Sequence, residues 1–128
     1  MTTLRIIPNS LTGTVHIPSS KSMGHRALIC AALAAGESHV EQVSLSKDIL
    51  VTSDCMRQLG ADITMEETGE GRADFTVRGG FPHQVGNLLN CGESGSTLRF
   101  IIPLAALTGS SFTLTGGGKL GSRPLAPY

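Results

Sequence analysis

Pro18-Ser19-Ser20-Lys21-Ser22-Met23-Gly24-His25-Arg26 stands between a short alternating segment, Leu11–Ile17, and an almost wholly apolar run, Ala27–Ala35. The alternation predicts a strand, and the run predicts a buried helix over about residues 22–35 that Gly36 closes. The loop therefore falls at a helix N-terminus, where the first-turn N–H groups have no partner inside the helix. Ser19, Ser20 and Ser22 can bond those groups, and Lys21 and Arg26 add two cations at the same end. Free N–H groups and the helix dipole favour anions, so the stretch points to capture of phosphate or carboxylate. The plainer alternative is a capped helix with two solvated cations. A second stretch of the same kind weighs against it.

That second stretch is Gly92-Glu93-Ser94-Gly95-Ser96-Thr97-Leu98-Arg99, which leads into an apolar run to Leu107 and then Gly109. A shift of 73 places puts Arg26 on Arg99, Ala32 on Ala105, Gly36 on Gly109 and Ser38 on Ser111. The shared order of loop, Arg, helix, Gly and strand reads as an internal repeat. Pro103 lies inside the second helix, where it is expected to remove a hydrogen bond and kink it. A third loop, Gly116–Arg123, matches the loop before a further helix that the chain does not reach. Helices packed in one layer would bring these three loops to a common concave edge, rich in N–H donors and cations.

The remaining segments complete the pattern. Leu4–Ile7 reads as a strand ended by the turn Pro8-Asn9-Ser10, and Ser38–Ser44 as another strand. Ser46 or Ser44 caps a helix over Lys47–Leu59, whose inner stripe is Ile49, Leu50, Cys55, Met56 and Leu59, and Gly60 stops it. Ala61–Glu66 and Asp74–Arg78 form a hairpin around Thr68–Gly71, and Val85–Leu89 and Ser111–Thr115 are short strands. The expected fold is α/β, built from repeated βαβαββ units. Residues 1–17 are leading strands shared with a second domain absent here, 18–84 the first unit, and 85–128 a second, truncated unit.

Composition narrows the function. Of 128 residues, 40% are hydrophobic and 16% charged, which suits one globular core. Ten basic and ten acidic residues cancel, with one Tyr, four Phe and no Trp, so neither a general field nor stacking platforms point to nucleic acid. The longest apolar run is too short to cross a bilayer, and no membrane partner is expected. Cys30, Cys55 and Cys91 make no paired framework, which favours a reducing compartment, and the cytoplasm is the expected location. Cys30 and Cys55 read as core residues, and Cys91 as a weak candidate nucleophile. The four His lack metal-ligand spacing, so no metal or cofactor is expected. Gly116-Gly117-Gly118-Lys119 fits neither a Walker A loop nor GxGxxG.

Pro18-Ser-Ser-Lys-Ser-x-x-His-Arg-Ala-Leu28 resembles the opening signature of the 5-enolpyruvylshikimate-3-phosphate synthase family. Gly92–Arg99 resembles its second signature and Ser122-Arg123-Pro124 its third, in order and over the whole chain. The resemblance implies an inside-out α/β barrel of βαβαββ units and transfer of enolpyruvyl from phosphoenolpyruvate to the 5-hydroxyl of shikimate 3-phosphate. It implies that Lys21 touches both substrates, that Ser22 and Arg26 hold shikimate 3-phosphate, and that Gly95, Ser96 and Arg123 receive phosphoenolpyruvate. Asp48 matches an acidic position of the cleft. Family members are much longer, so the chain is expected to be an N-terminal portion, inactive alone, of a monomeric enzyme whose acid–base residues lie beyond Tyr128. The sister family, UDP-N-acetylglucosamine enolpyruvyl transferase, usually has Lys-Asn where Lys21-Ser22 stand and a Cys in the loop where Lys119–Ser122 stand. A non-catalytic anion-binding module of the same architecture is the alternative from another class.

Overall fold

A computed structural model describes residues 3–126. In chain order the elements are α1 (Lys21–Leu33), β1 (Gly36–Ser44), α2 (Lys47–Gln58), β2 (Asp62–Gly69), β3 (Arg72–Gly79), β4 (Leu88–Asn90), α3 (Gly95–Leu107) and β5 (Thr113–Thr115). A single 3₁₀ turn, Leu120–Ser122, follows.

The first sheet has the order β1-β3-β2 and is antiparallel throughout. Its central strand β3 turns Ala73, Phe75 and Val77 inward at 0%, 1% and 0% exposure, the alternation a half-buried strand requires. Leu28 and Ile29 of α1 and Ile49 and Met56 of α2 share that core. Two glycines let backbones close in. A Cβ on Gly24 would stand 3.1 Å from Ile49 Cδ1, and one on Gly79 would collide with the Ala31 and Ala32 carbonyls. Between β1 and β3 the register shifts at Val40/Val43; there Gln42 adopts a positive φ of 55° and its N–H donates to Asp74 Oδ1 at 2.6 Å.

The second part is a β–α–β crossover in which β4 and β5 pair in parallel around α3. Leu89, Leu98, Ile101, Ala105 and Leu120 are buried there. The repeat is visible in the backbone. Ser20 and Ser94 are N-caps whose side chains accept from Met23 N and Thr97 N, and Gly36 and Gly109 follow the two helices at φ of 96° and 68°. The caps, however, match at a shift of 74 (Ser20 to Ser94), one more than the arginines do.

Several expectations need correction. Residues 3–20 form neither strand nor helix and lie exposed, Leu4, Ile6, Leu11 and Val15 among them. A strand is held by a neighbour's backbone, and no strand of residues 3–126 pairs with these. The ends of the outer units, residues 1, 2, 127 and 128, lie outside the described residues. Leu50 is 39% exposed, whereas Thr52 and Ser53 are buried in its stead. Cys30 is exposed. Pro103 does not interrupt α3, because it sits on the exposed face, where the lost hydrogen bond is least costly. The loop Gly116–Arg123 ends in one 3₁₀ turn, with no longer helix after it among the described residues.

Candidate active-site edge

Lys21, the first residue of α1, forms an ion pair with Asp48 in the first turn of α2. One turn further along both helices, His25 Nδ1 bonds Thr52 Oγ1 at 2.8 Å. Both pairs join residues 27 apart, so α1 and α2 run parallel with their N-termini on the same side. The same Thr52 Oγ1 also bonds Thr97 Oγ1, in the first turn of α3, at 2.7 Å. Three helix N-termini thus share one edge, as a single layer of helices requires.

The third loop docks on the start of α3. Gly117 N donates to Gly92 O at 2.7 Å, and the Glu93 carboxylate reaches back against Gly118. This brings the Arg123 guanidinium over Gly95, so closely that a Cβ on Gly95 would overlap it. Arg99 lies on the same glycine, its Nη1 donating to Gly95 O at 3.2 Å. Arg26 likewise donates back to Ser22 O at 2.9 Å, and its guanidinium lies 5.3 Å from the centre of the Phe100 ring.

The residues expected at the site therefore gather in two clusters. Lys21 and Asp48 meet at the α1 and α2 starts, and Gly95 meets Arg123 at the α3 start. Ser22, Arg26, Ser96 and Arg123 are exposed, and the Lys21 side chain is 53% exposed, so these groups line an open edge. A layer of N-termini with several exposed cations and a close-approach glycine is suited to a ligand carrying more than one anionic group.

Between the clusters runs a buried polar chain: His25, Thr52, Thr97 and Ser94, each at 1% exposure or less. Thr97 Oγ1 bonds Ser94 Oγ at 2.7 Å, and Ser94 Oγ also accepts from Thr97 N at 3.2 Å. Among the described residues, His25 Nε2 has no partner. Burial, then the nearby Lys21 charge, hold His25 below its usual pKa, with Asp48 opposing and Arg26 adding to the effect. Sequence reading missed Thr52 and Thr97. The available signal was spacing, since Asp48 and Thr52 stand four residues apart on one helix face, like Lys21 and His25.

Cys91 is fully buried rather than poised at a surface. Cys91 Sγ donates to Leu89 O at 3.8 Å and Cys55 Sγ to Asn90 O at 3.5 Å. The mutual influence of the two thiols draws Cys91 down and pushes Cys55 up; burial opposes the first shift and adds to the second.

Residues 6–128 match the family model for EPSP synthase (3-phosphoshikimate 1-carboxyvinyltransferase). The chain belongs to the EPSP synthase family. It is 41% identical over 125 residues to a 3-phosphoshikimate 1-carboxyvinyltransferase of Clostridium perfringens, covering 96% of this chain and 28% of the relative. It is 44% identical over 133 residues to the Clostridium beijerinckii protein of the same name, covering 100% of this chain and 30% of the relative. Among solved structures, EPSP synthase from Acinetobacter baumannii matches with a TM-score of 0.67 and 28% identity, over 88% of this chain and 26% of that one. The fold is thus part of the α/β enolpyruvyl-transferase fold, and the chain spans about 30% of the length of the curated relatives it matches.

Proposed function

We propose that this chain forms the N-terminal portion of a 3-phosphoshikimate 1-carboxyvinyltransferase. In that reaction enolpyruvyl passes from phosphoenolpyruvate to the 5-hydroxyl of shikimate 3-phosphate, with release of phosphate. The observation that carries the reading is the shared edge of three helix N-termini, with Lys21 at one end and Arg123 over Gly95 at the other. Two crowded anions must be neutralised together for the addition, and N–H donors and cations gathered along one edge can supply that.

Lys21 contacts both substrates once it leaves Asp48, and Asp48 lines the cleft. Ser22 and Arg26 hold shikimate 3-phosphate. Gly95, with Ser96 beside it, admits phosphoenolpyruvate to the start of α3, where Arg123 pairs with its anionic groups. The full-length protein works as a cytoplasmic monomer; size-exclusion chromatography and cell fractionation check those two statements.

The test uses the full-length protein. Lys21→Ala should weaken both substrates by about ten- to a hundredfold, the loss of one charge-assisted contact of about 1.5–3 kcal/mol. Ser22→Ala should cost less, because it removes a neutral hydroxyl. Lys21→Arg should not restore full binding, since a planar fork does not replace a compact ammonium between two ligands. Calorimetry on folded variants decides. Unchanged binding of both substrates by Lys21→Ala reduces the loop to a helix cap. Binding without turnover in the parent favours a non-catalytic module.

A further inference from the structure

The lysine cluster sits at the starts of α1 and α2 and the arginine cluster at the start of α3, so their separation is set by how α1, α2 and α3 are tied together. α1 and α2 are joined at two successive turns, by Lys21–Asp48 and by His25–Thr52. Among the described residues, one side chain–side chain hydrogen bond joins α2 to α3, and it runs from Thr52 to Thr97 at 2.7 Å. The same Thr97 hydroxyl bonds the cap of its own helix, Ser94, at 2.7 Å. A residue at the third position of a helix that reaches back to the cap fixes the first turn. Here that residue also reaches across to the neighbouring helix.

We propose that Thr97 is a positioning residue whose hydroxyl, seated between Thr52 and Ser94, holds the start of α3 where Gly95 and Arg123 can meet the ligand that Lys21 also touches. This rests on the function proposed above. Buried hydroxyls of this kind have one proton each, so the chain runs head to tail from His25 to Ser94 or in reverse. Either direction gives a tie that is short, directional and shielded from water, which an exposed ion pair at the same edge is not. Thr97 touches no substrate in this scheme. It acts through Ser94, Gly95 and Arg123.

Two substitutions separate positioning from plain stability. Thr97→Val keeps the shape and removes the tie, yet Thr52 retains His25 Nδ1 and Ser94 retains the amide of residue 97, so no neighbour is orphaned and the fold survives. Thr97→Ser keeps the hydroxyl and removes a methyl group. In the full-length protein, Thr97→Val should raise KM for phosphoenolpyruvate about tenfold, as a small misplacement of binding groups does. KM for shikimate 3-phosphate should stay near the parent value, because α1 keeps both of its ties to α2. Thr97→Ser should keep the parent KM for phosphoenolpyruvate even though it also lowers the melting temperature. Calorimetric titration with phosphoenolpyruvate, in the presence of shikimate 3-phosphate, should show the same split. Equal effects of Val and Ser, equal effects on both substrates, or no effect of Val in an active parent overturn the inference alone. A parent that neither binds nor turns over these substrates overturns the functional reading together with it.

Discussion

The starts of α1 and α3 are built to one plan and end in different surroundings. Each is a 13-residue helix capped by a serine, with an arginine donating to the carbonyl four residues before it. The arginine of α1 stands six places after its cap, Ser20 to Arg26, and that of α3 five places after, Ser94 to Arg99. One residue is about 100° around a helix. That single step leaves Arg26 exposed over Phe100, whereas Arg99 is half-buried against Gly95 and reaches the Pro124 carbonyl at 3.5 Å. The caps differ in the same sense: Ser20 is exposed, and Ser94 is sealed under Thr97. The α1 start can give up a side chain to a ligand, and the α3 start offers a fixed backbone.

Three tests sharpen that contrast, in order of falling effect. Gly95→Ala introduces a methyl group where the Arg123 and Arg99 guanidinium groups lie, and both can swing away because only their far ends are touched. Its φ lies outside the left-handed region and alanine favours a helix, so the melting temperature should hold or rise. Phosphoenolpyruvate binding by the full-length protein should nevertheless fall about ten- to a hundredfold, on the scale of one lost charge-assisted contact. A fall in stability with binding unchanged would reverse the assignment.

Arg99→Ala should lower the melting temperature by a few degrees, matching about 1 kcal/mol of lost hydrogen bonding. Arg26→Ala, at an exposed site, should lower it less. Thermal melts of the two variants side by side give the comparison, and equal losses would mean that the one-residue step does not divide their roles.

The third is a pH effect confined to the α1 side. His25 is held neutral by burial and by Lys21, so its folded pKa lies below the unfolded value of about 6.5. Its contribution to stability is present above that pH and is lost as the pH falls towards the folded pKa. The melting temperature should therefore drop between about pH 7 and pH 5, and the drop should shrink in His25→Asn. At the matching place in α3, the shift of 73 puts Leu98, which brings no such sensitivity.

Much of this was legible in the sequence because it is local. Ser20 and Ser94 fall where a cap is needed, Gly36, Gly60 and Gly109 where a positive φ is needed, and each of these is settled by a few neighbouring residues. The strand expected at Leu11–Ile17 was not legible in that way, since alternation gives a segment the faces of a strand but not a partner. The meeting of Arg123 with Gly95 depends on where the Gly92–Gly117 hydrogen bond pins a loop, which no spacing announces. Thr52 and Thr97 were passed over because a threonine within an apolar pattern looks like a small core residue until its hydroxyl is seen to have a partner 45 residues away.

The β1-β3-β2 sheet draws all of its strands from Gly36–Gly79, and α1, which covers it, ends at Leu33 just before. Every rung of that ladder is therefore in hand by the time Gly79 has been added to the growing polypeptide. Domains generally fold as units during synthesis, at about 5–20 residues per second, and short-range pairings form before long-range ones. The first unit can thus set its core while β5, the strand that β4 needs, is still several seconds from being made. For those seconds the Thr97 side of the edge does not exist, and the Lys21 side already does.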